Sequence, residues 1–335
     1  MTHPSIETPF ALGTFSAAGS PRFAGLVVAD QVVAVAALTH LAELRGAHSV
    51  LGLLEHWEHN FAQLDRLARQ LAADKQGLPF LGLDQVHYHA PVDLPRQIFC
   101  SGANYHKHVV DLIVDDPQFE TDGMDNTQRR AYAVEMMNKR ARDGRPFVFN
   151  KVASSVTGPF DPIIIPAGSK KPDWELELGV VIGKPARRVS RENALDHVAG
   201  YVVVNDLTER TKVFRPDIPQ MGMDWLSSKN APTFLPMGPY LVPAAYVGNP
   251  QELQLTLRLN GQVMQDESTA DMIFDVARII EFISQSVQLL PGDLICSGSP
   301  SGNGTHYNRF LQAGDLMEGT IAKLGTQRNP CVDER

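Results

Sequence analysis

The strongest constraint on this chain is a pair of acids at the head of an apolar run. Asp173-Trp174-Glu175-Leu176-Glu177-Leu178 leads directly into Gly179-Val180-Val181-Ile182. Alternate residues of a β-strand share a face. Glu175 and Glu177 therefore project together, while Leu176 and Leu178 pack on the other side. Neighbouring carboxylates repel and raise each other's pKa unless a positive charge lies between them. A hard divalent cation answers that need, because Mg²⁺, Mn²⁺ and Ca²⁺ prefer oxygen ligands. A third acid, Asp206, ends the apolar run Val202-Val203-Val204-Asn205 and lies 29 residues beyond Glu177. Three carboxylates leave coordination positions for water and for a chelating substrate. The rival reading is a solvated edge strand. The unbroken run 178–182 counts against it, since such a run reads as a buried strand.

The chain has 335 residues, 43% of them hydrophobic, enough for two domains and a large core. Its net charge of −8 argues against nucleic acid or an anionic membrane as partner. No stretch approaches the ~18 apolar residues of a membrane span. Residues 1–7 lack the basic-then-apolar pattern of a signal peptide. Three scattered cysteines, Cys100, Cys296 and Cys331, suit neither a disulfide framework nor a zinc site, and the expected setting is a reduced cytoplasm.

Local patterns divide the chain. Residues 23–28 and 31–35, joined by Ala29-Asp30, read as a hairpin. Residues 50–73 show helical spacing in one helix or two. Prolines at 79, 91 and 95 mark a boundary, giving a small α/β N-terminal domain over 1–93 and a larger unit over 94–335. The larger unit reads as mainly β with α. Short strands are expected at 162–166, 201–204 and 253–259, the last ended by the hairpin turn Asn260-Gly261. Helices are expected over 126–143, with Gly144 as C-cap, and over 272–286.

Further motifs carry chemistry. In Ser101-Gly102-Ala103-Asn104-Tyr105-His106-Lys107-His108-Val109-Val110-Asp111, His108 and Asp111 stand three apart and face each other on a helical turn. A carboxylate that orients a histidine makes a general base, and a chance surface pair is the alternative. Lys229, among small and turn-forming residues at 227–233, could stabilise an oxyanion or be a plain surface lysine. The loop 297–304 is neither a nucleophile elbow, since Pro300 holds the central position, nor a phosphate loop; it reads as a tight loop at a site mouth. His56-Trp57-Glu58-His59 lacks the order a helical zinc site needs and reads as a solvated helix face. Met136-Met137 reads as core packing.

In order, these segments resemble the fumarylacetoacetate hydrolase superfamily over about residues 95–325. The pieces are Gly102-x-Asn104-Tyr105-x-x-His108, Glu175-x-Glu177-Leu178-Gly179-Val180-Val181, Asn205-Asp206-Leu207-Thr208-x-Arg210, Lys229 ahead of Thr233-Phe234-x-Pro236-x-Gly238-Pro239, Thr269-Ala270-Asp271-Met272-Ile273-Phe274, and Pro291-Gly292-Asp293-Leu294-Ile295 ahead of Ser297-Gly298-Ser299-Pro300. The resemblance implies a mixed β-roll catalytic domain that forms a homodimer. It implies Mg²⁺ or Mn²⁺, with Ca²⁺ as a substitute, on Glu175, Glu177 and Asp206. It further implies His108 as base with Asp111, Lys229 at the oxyanion, and substrate contacts at Tyr105, Arg210 and Thr269.

The activity so implied is hydrolysis of a C–C bond in a 2,4-dioxo acid of acylpyruvate type, in aromatic or sugar-acid catabolism. Hydration, decarboxylation or tautomerisation of a related 2-oxo acid is the alternative, and a degenerate metal-binding structural protein the non-enzymatic one. This chain departs from the family pattern in three places. Asp111 replaces the usual glutamate, and Val213 stands where a glutamine is common. A long insertion at about 112–150 can serve as a lid or a dimer contact.

Overall fold

Strand parity organises the molecule. The computed structural model describes residues 6–115 and 123–335. Part of the amino-terminal segment read above, residues 1–5, and residues 116–122 of the insertion lie outside the described residues. Leu176–Ile182 is buried at every position. Its even residues, Leu176, Leu178, Val180 and Ile182, enter one hydrophobic core, and Val181 enters a second. The neighbouring strand Val198–Asn205 runs antiparallel, with Leu176 opposite Asn205 and Glu177 opposite Val204. Its Val202 and Val204 face the second core, so Asp206, two residues further, continues that face. Glu175, Glu177 and Asp206 thus reach one side of one sheet edge because two alternations are in register.

That sheet has six strands, in the order Val242–Pro243, Val198–Asn205, Leu176–Ile182, Leu294–Cys296, Ile98–Gly102, Phe147–Lys151. A five-stranded sheet runs Gln262–Ser268, Gln254–Leu259, Leu316–Ile321, Gly325–Asp333, Ile163–Ile165. Its first hairpin turns at Asn260-Gly261, both with positive φ, as a tight two-residue turn requires. The fold is therefore the mixed, strand-rich architecture expected.

A second five-stranded sheet lies within residues 11–89, in the order Leu81–Gly82, Gln31–Ala34, Phe23–Val28, Ala11–Ala17, Val86–His89. Its central hairpin turns at Ala29-Asp30. It is stitched to the rest of the chain: Leu12 and Leu241 exchange backbone hydrogen bonds of 3.0 and 2.8 Å. The Thr14 hydroxyl donates to the Pro91 carbonyl at 2.8 Å. Both hydrophobic cores cross residue 93.

The helices refine the sequence reading. Residues 50–73 form two helices, Val50–Leu54 and Trp57–Ala73; His56, at φ −128° and ψ 37°, breaks the run. Asn126–Asp143 matches its expected span and ends on Gly144. The helix expected from Met272 begins at Val276, because the Asp275 carboxylate caps it by accepting the Arg278 N–H. The displaced residues do other work: Ile273 N–H donates to the Asn104 carbonyl at 2.8 Å and Phe274 N–H to Asn104 Oδ1 at 2.9 Å. Asn104 Nδ2 donates to the Phe274 and Ser297 carbonyls at 3.0 and 2.7 Å. This fully buried amide straps the helix-bearing segment and the 297–304 loop to the strand that precedes His108.

Asn104→Ala should therefore lower unfolding stability by about 3 kcal/mol, since buried backbone partners are left unpaired at ~1–3 kcal/mol each. Urea denaturation measures this, and a loss below about 1 kcal/mol would mean the strap is held by other contacts.

Candidate active site

The acids are positioned by the backbone around them. Glu175 N–H donates to Asn205 Oδ1 at 2.8 Å, and Asp206 N–H donates to the Glu175 carbonyl at 2.8 Å. Glu177 Oε2 accepts the Gly298 N–H at 2.7 Å. Gly298 has φ +99°, and a Cβ there would lie 2.7 Å from the Asn104 Cβ and 2.9 Å from the Ser101 carbonyl oxygen. Only glycine fits this approach. The loop read as a structural turn thus delivers a backbone donor to Glu177. One oxygen of each of Glu175, Glu177 and Asp206 lies within 4.8 Å of the other two.

Three cations thread these acids. Lys229 Nζ lies 2.5 Å from Glu175 Oε2 and 2.6 Å from Asp206 Oδ2, with a third contact of 3.3 Å to the Asp206 carbonyl. It also sits 5.2 Å from the Phe149 ring centroid and 6.0 Å from that of Trp225. Arg210 binds Asp173 through Nε at 2.7 Å and Glu175 through Nη2 at 2.6 Å. Lys151 Nζ lies 2.7 Å from Asp206 Oδ1, an ion pair without hydrogen-bond alignment.

Burial alone would raise Glu175, but Lys229 and Arg210 outweigh it and hold the carboxyl at about 2. Burial would likewise lower Lys229, yet Asp206 and Glu175 keep it raised and charged. Glu177 has no such cation. Burial first, then the charges of Asp206, Cys296 and Glu175, push it well above the ordinary range. The cluster holds one more carboxylate than cations. A divalent ion fits what remains: three converging oxygens, one acid without a cation and an Asp206 oxygen without a hydrogen bond.

These acids line a cavity of about 250 Å³ together with Arg210, Lys229 and His108. Its outer wall is apolar, from Leu112, Phe149, Val213, Phe214, Met223 and Trp225. His108 sits on the helix His106–Asp115, is half-buried, and makes no hydrogen bond to a described residue. Burial lowers its imidazole to about 4. The insertion helix Asn126–Asp143 packs on this helix and buries Ala133 and Met137 against it.

Three expected site residues stand elsewhere. Asp111 turns away from His108: its Oδ1 binds Arg130 Nη2 at 2.7 Å and its Oδ2 accepts the Ser301 hydroxyl at 2.9 Å. Tyr105 is fully buried and outside the cavity lining; its hydroxyl has no partner among the described residues. Thr269 is also fully buried, and its hydroxyl accepts the Leu253 N–H at 2.9 Å. Lys151 and Asp173, by contrast, carry charge at the site that motif spacing does not reveal. Lys151 stands in a strand of otherwise ordinary composition, and only the fold brings it to Asp206. Asp173 opens the acid motif but points to Arg210 and to the backbone N–H groups of Gly304 and Thr305.

The family model described as "Fumarylacetoacetate (FAA) hydrolase C-terminal" matches residues 97–332. The chain belongs to this family. A 2,4-didehydro-3-deoxy-L-rhamnonate hydrolase of Sphingomonas sp. (strain SKA58) is 38% identical over 275 residues, covering 81% of this chain and 85% of that protein. A mitochondrial oxaloacetate tautomerase of Bos taurus is 34% identical over 282 residues, covering 84% and 79%. Among solved structures, maleylpyruvate hydrolase from Sphingobium sp. SYK-6 in complex with manganese(II) ion and pyruvate superposes with a TM-score of 0.70 at 25% identity, covering 97% and 100%. These relatives are, by name, hydrolases and a tautomerase of small oxo acids.

Arg210→Met should cost about 3–5 kcal/mol, because it strands the fully buried Asp173 without a counter-charge. The double variant with Asp173→Asn should regain part of that loss in chemical denaturation. Equal stability of the two variants would show that Asp173 is compensated by its backbone donors alone.

Proposed function

We propose that this protein is a divalent-metal-dependent hydrolase that cleaves a carbon–carbon bond in a 2,4-dioxo acid of acylpyruvate type. One observation carries this reading: three converging acids share a cavity of about 250 Å³ with an imidazole that makes no hydrogen bond to a described residue. The hydrolase relative and the manganese- and pyruvate-bound neighbour support it.

Mg²⁺ or Mn²⁺ held by Glu175, Glu177 and Asp206 would supply Lewis acidity to the substrate's carboxylate and 2-oxo oxygens. The chain's own residues do the rest. A ring nitrogen of His108, neutral at physiological pH, accepts a proton from water as that water attacks the distal carbonyl. Lys229 has its three N–H groups directed at Glu175 and Asp206, so it contributes fixed positive potential near the developing oxyanion. Arg210 Nη1 makes no hydrogen bond to a described residue and serves the substrate carboxylate, while Asp111 positions the His108 helix through Arg130 and Ser301. Breaking the bond leaves its electron pair on the methylene carbon. Protonation there gives pyruvate or a homologue, and the acyl part departs as a carboxylic acid.

Tautomerisation of a 2-oxo acid is the second reading. It is favoured by the tautomerase relative and by the engagement of Lys229, which leaves His108 as the acid–base group we assign that has no hydrogen bond to a described residue. We further propose a homodimer in the cytoplasm, with residues 1–93 as a small N-terminal domain whose apolar residues share both cores with the larger unit. Three free cysteines, all buried, accord with a reducing compartment, and no helix among the described residues is long and apolar enough to cross a membrane.

Glu177→Gln should abolish Mn²⁺ binding in calorimetry; retained affinity would remove Glu177 from the ligand set. His108→Ala should lower turnover of a simple acylpyruvate by ~10²–10⁴-fold while Mn²⁺ affinity persists. Near-normal turnover would place the base elsewhere.

The pH profile follows from the lowered His108 pKa. The folded protein stays unprotonated there down to about 4, while the unfolded chain takes up that proton near 6.5. The acid limb of kcat/KM should therefore fall near pH 4, not 6.5. For the same reason this group should withdraw stability as pH drops from 6.5 to 4. A limb at 6.5 would mean the imidazole is solvated in the working enzyme.

A further inference from the structure

Behind His108 lies a second chamber of about 230 Å³. His108 and Leu112, one helical turn apart, border both chambers and form the ridge between them. The first chamber has the acids on one side and apolar residues at its mouth. The second has Leu112 and His108 on one side, and brings together the polar groups of Asp111 from the helix and of Ser301, Asn303, Thr305 and His306 from the loop that follows Gly298.

Their hydrogen bonding is unevenly used. Asn303 is 3% exposed. Its Oδ1 caps the short helix Gly304–Tyr307 by accepting the His306 N–H, which fixes the side chain, but its Nδ2 donates to no described residue. The His306 ring packs edge-on against Tyr307, with centroids 4.8 Å apart, and makes no hydrogen bond to a described residue. Each Asp111 oxygen holds one bond, to Arg130 or to Ser301, and keeps a further lone pair. An apolar occupant would leave the buried Asn303 donor dehydrated and unpaired. A carboxylate would face Asp111, whose one bonded cation, Arg130, is already committed to it. A hydroxyl, donor and acceptor at once, satisfies both sides.

We propose that this chamber is the subsite for the acyl end of the substrate and that it selects a chain bearing a hydroxyl group. The inference rests on the dioxo-acid reading above and deepens it. The reactive carbonyl sits at the His108 ridge, the dioxo-acid head lies over the acids, and the hydroxylated tail extends past His108 to Asn303, His306 and Asp111. The substrate class is then a 2,4-dioxo acid derived from a sugar acid rather than from an aromatic ring.

The test separates binding from turnover. Three 2-oxo acids that lack the 4-oxo group, and so cannot be cleaved hydrolytically, carry chains of equal length ending in hydroxyl, methyl or carboxylate. Their Kd values are measured by calorimetry on the Mn²⁺-loaded full chain. The hydroxyl compound should bind about tenfold tighter than the methyl one, the scale of one buried hydrogen bond. Asn303→Asp keeps the helix cap and removes the donor, and should bring that ratio close to one. His306→Phe, on an exposed residue, should lower it too and serves if the first variant does not fold. Equal Kd for hydroxyl and methyl compounds, or a ratio unmoved in both variants, overturns the subsite. Tightest binding of the carboxylate compound overturns the hydroxyl assignment. Hydrolysis of a simple acylpyruvate alongside either result leaves the hydrolase reading standing, whereas failure of all three compounds to bind sinks the site and the subsite together.

Discussion

Everything at the centre of this molecule depends on how four carboxylates, three of them buried, are held beside three cations, two of them buried. Asp173, Glu175, Glu177 and Asp206 meet Lys151, Arg210 and Lys229 within a few ångströms. Removing such charges from water costs several kcal/mol per ion, and only close geometry offsets it. The geometry is close: Lys229 spans Glu175 and Asp206, and Arg210 spans Asp173 and Glu175. Glu177 is the exception, held by a backbone N–H and by no cation. That leftover negative charge is the feature a divalent ion would answer.

The scaffold around the charges is rigid for a reason. Two antiparallel strands in register present the acids, and their outward faces are committed to two separate cores. A one-residue slip would send Glu177 into hydrocarbon and Leu178 toward the cavity. Asn104 and Gly298 then fix the loop that completes the site, one by hydrogen bonds and the other by having no Cβ. The His108 helix is held from outside by the insertion helix, through Arg130–Asp111 and the bond of 3.2 Å between His106 and Asn138. The acids are therefore set by the sheet, and His108 by packing of one helix on another. The second is the less constrained of the two.

Local patterns were legible where a side chain answers to its own neighbours in sequence. The Ala29-Asp30 and Asn260-Gly261 turns, the 126–143 helix and the 178–182 buried strand all follow from short-range rules. Asp275 hid the true start of its helix, since apolar spacing from Met272 onward looks helical whether or not the cap intervenes. At the site, the three acids and Lys229 could be picked out, but the orientation of Asp111 could not. Spacing of three on a helix aims it at His108 as readily as outward, and the winning partners, Arg130 and Ser301, are 19 and 190 residues away.

Local sequence already places charge at particular positions of apolar runs, and so shows where oxygen ligands would gather. Alternation along a strand is a local geometric fact, and a carboxylate set inside a buried run needs a cation or a donor beside it. Which cation neutralises which acid, that Glu177 is left without one, and that His108 stands between two chambers are set by tertiary packing. Those outcomes depend on distances between elements far apart in the chain. Such distances come from packing of whole sheets and helices, in which no single segment holds the information.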